Sequence, residues 1–240
     1  MKPLRFFTLT LLTGAITMTS NIQAKAQEAE RLTVEQQHII SVAAYTANGD
    51  IDALKAEFSE ALGAGLTVNE IKEVLIQMYA YAGFPRSLNG INAFLAVLDD
   101  RKEQGIEDVI GDDATPVPAG TDMTAYGNTV RNQLANADMS DNQAAFAQFA
   151  PVIDEYLKKH LFGEIFSRDV LDIQQRELAT LGALASMDGT AAQLGAHINF
   201  SLNVGITQEQ LNDFIKVIEQ ELGAEKAAEA KAVLDKITAE

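Results

Sequence analysis

A twenty-residue stretch of this chain recurs without a gap 140 positions further on. Residues 48–67 read NGDIDALKAEFSEALGAGLT, and residues 188–207 read DGTAAQLGAHINFSLNVGIT. The copies share Gly49/Gly189, Leu54/Leu194, Ala56/Ala196, Leu62/Leu202, Gly65/Gly205 and Thr67/Thr207. A repeated unit of about 65 residues buries little by itself. Packing of two copies about a pseudo-twofold axis is therefore expected, and the same surfaces could drive homo-oligomers. In this frame Glu57 corresponds to His197, so the duplication offers an acid in one copy and an imidazole in the other.

The units read as helical throughout. Thr33 with Gln36 forms a capping box, and a helix is expected from there to about Thr46. Asn48-Gly49-Asp50 is a turn, and apolar Leu54, Phe58, Ala61 and Leu62 at helical spacing predict a helix from Ile51 to Leu62. Gly63 and Gly65 end it. Thr67 with Glu70 opens a helix to about Tyr81, Gly83-Phe84-Pro85 interrupts it, and a further helix runs from Arg86 to Arg101. Helices are also expected over 125–137, 140–150 and from Pro151 to His160. HLFGEIFSRDVLD (160–172) reads as a packed turn or short broken helix. The second copy follows as helices 173–186, 190–202, 208–222 and 224–238, with capping pairs at Asp172/Gln175 and Thr207/Gln210. Runs of Val, Ile and Thr with period-two alternation are missing, so no strand is expected. The fold class is all-α, with duplicated helical units. The expected organisation is a first repeat over 27–102, a Gly/Pro/Asp-rich linker over 103–124, and a second repeat with an N-terminal helical extension over 125–240.

Residues 1–26 have the form of a secretory leader: Lys2 and Arg5, an apolar run from Phe6 to about Met18, and Ala24-Lys25-Ala26 as a cleavage pattern. The run is too short for a membrane span. The chain is thus expected to be exported, in a periplasmic setting, with no membrane span after cleavage. The full chain carries 18 basic and 34 acidic residues, a net charge of −16, and loss of the leader's three cations takes it to −19. That argues against nucleic acid and anionic membranes as partners, because both need a positive face. There is no cysteine, so disulfides, thiolate nucleophiles and thiolate-held metals are excluded.

Several residues could carry chemistry. His197 lies beside Leu194, Ile198 and Ser201 on an apolar helix face, where burial and neighbours tune an imidazole across neutrality. Glu57 holds the matching place beside Leu54, Phe58 and Ala61. Glu164 and Arg168 stand four apart and can pair if their turn is helical, and Arg168 among aromatics could hold a substrate carboxylate by a bidentate bond. Tyr79, Tyr81, Gly83 and Pro85 form YAYAGFP, whose tyrosines could donate hydrogen bonds into a pocket. His160 could be a proton donor or a helix C-terminal cation. His38, near the first capping box, reads as exposed. The three histidines have no helical His partner at three or four residues, so no metal site is expected.

The stretch 163–215 resembles the carboxymuconolactone decarboxylase family. The motifs are Gly163-Glu164-Ile165-Phe166-Ser167-Arg168, the Arg176-Glu177-Leu178 helix start, the central His197, and Gly205-Ile206-Thr207-Gln208-Glu209. The family's Tyr-x-Gly-x-Pro motif stands in the first copy as Tyr81-Ala82-Gly83-Phe84-Pro85, whereas the second copy has Glu221-Leu222-Gly223-Ala224-Glu225. A composite site therefore requires the two halves to meet. The resemblance implies an all-α, oligomeric fold and one of two chemistries. Peroxidase chemistry needs a Cys pair that this chain lacks. The other branch decarboxylates carboxymuconolactone without a cofactor. On that reading the chain is a cofactor-independent lyase or isomerase acting on a small carboxylated lactone or related acid. Its catalytic residues would be His197, Glu164 and Arg168, with Tyr81, Tyr79, Pro85, Glu57 and His160 lining the substrate. The alternative is a non-catalytic exported binding or scaffold protein that reuses the fold.

Overall fold

The computed structural model describes residues 31–140 and 144–239; the leader expected over 1–26 lies outside them. The first copy contains α1 (Val34–Asn48), α2 (Ile51–Ala64) and α3 (Val68–Glu103). After an extended segment come α4 (Met123–Ala135), two short helices α5 (Ala145–Phe149) and α6 (Pro151–Tyr156), and a π-helical stretch, Leu157–Ile165. The second copy is α7 (Ile173–Ser186), α8 (Ala191–Asn203), α9 (Gln208–Leu222) and α10 (Ala224–Thr238). Among the described residues there is no strand.

The starts of α1, α3, α7 and α9 are set by four capping boxes, at Thr33/Gln36, Thr67/Glu70, Asp172/Gln175 and Thr207/Gln210. Each satisfies two of the backbone N–H groups that a helix start leaves open. The expected interruption at Gly83-Phe84-Pro85 is narrower than the motif. Only Gly83 leaves helical geometry (φ 84°, ψ 163°), and Phe84 and Pro85 already belong to the next helical turn. Pro85 is tolerated there because a first-turn N–H has no intrahelical acceptor. Gly223 takes the same conformation (φ 90°, ψ 169°) between α9 and α10, in a region open essentially to glycine alone. Both copies therefore share one four-helix plan, with the second arm of α3 matching α10, even though the second copy lacks the tyrosine and proline.

Two further expectations are corrected. The helix expected over 140–150 is reduced, among the described residues, to Ala145–Phe149. The helix from Pro151 does not end at His160: it widens at Leu157 into the π-helical stretch, which carries the chain to Ile165. Gly127 and Gly163 permit that stretch to lie against α4, since a Cβ on Gly127 would meet the Lys158 carbonyl at 1.7 Å. The extended segment after α3 turns back on the same helix. Val109 and Ile110 offer their carbonyls to the N–H groups of Val68 and Asn69, both at 2.9 Å.

One apolar core joins the copies. Ile39, Ile40, Leu54, Phe58, Leu75 and Met78 of the first pack with Leu178, Leu181, Ile198, Phe214 and Ile218 of the second. α1 packs most extensively against α7, and their approach depends on Gly182. A Cβ there would stand 2.4 Å from the Ile40 carbonyl oxygen, a backbone atom that cannot swing aside. Gly182→Ala is expected to lower stability by about 1–3 kcal/mol, as overpacked cores do, read as a lower urea midpoint at unchanged slope.

Candidate active site

Alignment on the capping boxes rather than on the ungapped repeat puts His38 opposite Glu177, while Glu57 still faces His197. The helices then present two His–Glu pairs of opposite polarity. In the second copy Glu177, on the first turns of α7, takes His197 of α8: Nδ1 lies 2.7 Å from Glu177 Oε2. In the first copy His38 of α1 supplies the imidazole and Glu57 of α2 the acid, with Nδ1 2.7 Å from Oε1. His38 is therefore not the exposed residue expected; its side chain is 18% accessible, and Glu57 is buried.

The third helices cross over to complete each pair. Tyr81 of α3 sets its ring edge-on to His197, centroids 5.7 Å apart, and Phe200 flanks the imidazole at 5.2 Å. In the first copy Glu221 of α9, the repeat equivalent of Tyr81, accepts a 2.6 Å hydrogen bond from Tyr45. The same exchange recurs at the helix starts. Asp213 of α9 binds Arg31 of the first copy, and Glu73 of α3 binds Arg168 of the second. The half-motifs separated in sequence thus meet in space.

The electrostatics of the two pairs differ. At the first, the hydrogen bond that His38 donates to Glu57 raises the His38 pKa against the effect of burial. Burial raises Glu57, with His38 pulling the other way. Both groups bind protons more tightly folded than unfolded. Their contribution to stability is then fully present below the unfolded values and is lost as pH rises through the raised ones. His38 is expected to titrate above the ordinary imidazole value of about 6.5, and to fall back toward it in Glu57→Gln, as followed by ring-proton NMR.

At the second pair, polar atoms are left over. Glu177 Oε1, the Tyr81 hydroxyl, Ser201 Oγ and Arg176 Nε are buried without a hydrogen bond among the described residues, although Thr180 lies near Tyr81. Native interiors rarely leave such groups without a protein, water or ligand partner. Burial, and after it the charge of Glu177, hold the Tyr81 phenol well above its ordinary pKa, so it stays a donor. Beside it Arg176, 1% exposed, reaches Gln77 Oε1 at 3.0 Å and Glu73 Oε2 at 3.2 Å, and also donates to the Arg168 carbonyl. Arg168 and Arg176 share Glu73 as their carboxylate, which leaves the triad one positive charge in a strongly acidic protein.

The residues singled out from sequence fall into separate groups. His197 and Tyr81 come together. Arg168 does not pair with Glu164: its Nε and Nη2 are taken by the fully buried Glu73, with Nη2 at 2.6 Å from Oε1. Glu164 neither meets Arg168 nor orients His197. It binds His160 Nδ1, and His160 Nε2 lies 2.6 Å from the Tyr79 hydroxyl. Both stand at the rim of a cavity of about 360 Å³ lined by Tyr79, Tyr156, Lys159, His160 and Glu164, not by His197 or Arg168. Glu57 belongs to the first copy's pair, and Pro85 is exposed at the head of the second arm of α3. Sequence reasoning missed Glu177, Glu73 and Arg176. Glu177 and Arg176 were in view as the Arg-Glu-Leu helix start, and capping-box alignment with His38 would have picked out Glu177. Nothing local marks Glu73, whose partners lie 95 and 103 residues away.

The sequence model of the carboxymuconolactone decarboxylase family matches residues 17–96 and 151–236, one match on each copy. The chain is also similar to the uncharacterized protein MJ1511 of Methanocaldococcus jannaschii. The two are 28% identical over 82 residues, which cover 34% of this chain and 77% of that protein.

Proposed function

The chain belongs to the carboxymuconolactone decarboxylase family, and from that premise we propose that the Glu177–His197 pair is the proton-transfer centre of a cofactor-independent lyase or isomerase. Its substrate is a small carboxylated lactone or related acid. The observation that carries the reading is the 2.7 Å hydrogen bond between His197 Nδ1 and Glu177 Oε2, set among polar atoms without a hydrogen bond among the described residues. Glu177 fixes the tautomer, so that Nε2 is the nitrogen left for substrate. The Tyr81 hydroxyl supplies a hydrogen bond to the oxygen on which negative charge develops. The net positive Arg168–Glu73–Arg176 triad favours an anionic substrate nearby.

In the decarboxylating direction, the bond between ring carbon and carboxylate breaks and carbon dioxide leaves. The electron pair passes into the lactone carbonyl as an enolate held by Tyr81. For this step His197 carries a proton on each ring nitrogen, keeps Nδ1–H on Glu177, delivers the Nε2 proton to carbon and regains one from solvent. An isomerisation uses the same groups, with His197 first taking the proton and then returning it. The exported, periplasmic setting belongs to this proposal, supported by the basic-apolar-small pattern of residues 1–26. A homo-oligomer also belongs to it, supported by the exposure of Phe84, Leu88 and Leu95 along the second arm of α3. Among the described residues no helix is long and apolar enough to cross a membrane.

The test is to incubate the protein with carboxymuconolactone and other small lactone acids in deuterated buffer, following carbon dioxide release and carbon-bound deuterium by NMR. One observation favours a non-catalytic binding or scaffold reading: His197 is only 8% exposed and is bonded within the interior. Absence of both release and exchange with every acid, joined to a large stability loss in His197→Gln, would decide for the scaffold.

A further inference from the structure

We infer that the cavity beside the π-helical stretch is a second binding site, separate from the Glu177–His197 pair, for a small hydroxylated carboxylic acid with a flat apolar body. The inference rests on the polarity of the walls and is independent of the function proposed for His197.

The cavity's about 360 Å³ lies within the range of small-molecule sites. Its hydrogen bonds run in one direction. His160 bonds Glu164 through Nδ1 and faces the Tyr79 hydroxyl through Nε2 at 2.6 Å. In the neutral imidazole, with Nδ1–H given to Glu164, Nε2 is the acceptor and the Tyr79 proton points at His160. The Tyr79 oxygen is then left facing the cavity as an acceptor. A ligand group meeting it must be a donor, such as a hydroxyl. Glu164, 46% exposed, is a second acceptor on the same wall.

Lys159 has the opposite character. It lines the cavity, is exposed, and enters no ion pair among the described residues. Its neighbour Lys158 is already held by Asp154 at 2.6 Å. A free ammonium on an acidic protein selects a carboxylate. The remaining walls are the rings of Tyr156 and Tyr79, the latter already stacked on Phe84 at 4.2 Å. They offer aromatic faces to a flat body. The π-helical stretch makes the arrangement possible, because its wide turn brings Lys159, His160 and Glu164 to one wall. Such turns are frequent at functional sites.

The probes are 4-hydroxyphenylacetate, phenylacetate, which lacks the hydroxyl, and 4-hydroxyphenylethanol, which lacks the carboxylate. Binding is measured by calorimetry and by shifts of the His160 ring signals in the whole protein. The expected order is 4-hydroxyphenylacetate tightest, with saturable His160 shifts. Lys159→Met should weaken it about tenfold while leaving 4-hydroxyphenylethanol unchanged. Tyr79→Phe, shown to be folded by thermal unfolding, should weaken 4-hydroxyphenylacetate several-fold and leave phenylacetate unchanged, which isolates the hydroxyl contact. Equal affinity for all three compounds, or no saturable binding of any, would overturn the inference. So would binding abolished by His197→Gln and untouched by Tyr79→Phe, which would put the ligand at the buried pair instead.

Discussion

Glu73→Ala is expected to lower the unfolding free energy by about 3–5 kcal/mol, the cost of leaving a buried ion without its partner. Glu73 is fully buried and serves two guanidinium groups at once. Arg168 can turn toward water, since 37% of its side chain is already exposed. Arg176 cannot: it is 1% exposed, and burial already lowers its pKa, with Glu73 the main opposing influence. The loss should therefore fall mainly on Arg176. Urea unfolding of Glu73→Ala, Arg176→Met and the double variant separates the contributions. The double variant should recover much of the loss, because removing both members of a buried pair leaves no stranded charge. A double variant as unstable as the sum of the two single ones would show that Arg176 and Glu73 do not act together.

The second large effect is on turnover. Glu177→Gln and His197→Gln should each lower kcat on a substrate of the wild-type protein by about 10²–10⁴-fold, the range for loss of a positioned proton-transfer group. The two should not be additive, because Glu177 acts through the imidazole it holds. Tyr81→Phe should cost less than either. Stability gives a control. Glu177 has one oxygen on His197 and the other without a partner, so Glu177→Gln removes a buried charge and should leave the fold intact. A folded variant that keeps full turnover would remove Glu177 from the chemistry.

Much of the fold was legible because its signals are local. The capping boxes at Thr33, Thr67, Asp172 and Thr207 each use residues three apart, and all four form. The glycine that ends the first arm of α3 was legible too. Its match at Gly223 keeps the same break without the tyrosine and proline, because the backbone conformation depends on glycine alone. The site was legible in part. His197 stood out as a polar residue on an apolar face. Its partner did not, because the ungapped repeat places Leu178 opposite His38 and so hides a one-residue difference in register. Glu164 and Arg168 do not pair for a related reason: their spacing suits a pair on an α-helix, but the stretch there is π-helical and ends at Ile165, between them.

The sequence by itself determined the all-α class, the duplication and the positions at which helices begin, since each follows from interactions within one turn or from a repeat visible in the letters. Tertiary structure alone decided which acid meets which base. Tyr81 reaches His197 across 116 residues and Glu73 reaches Arg168 across 95, because the third helix of each copy crosses to the other. The ends of such contacts are brought together by burial of a shared apolar core, a force that is roughly proportional to area and blind to order along the chain.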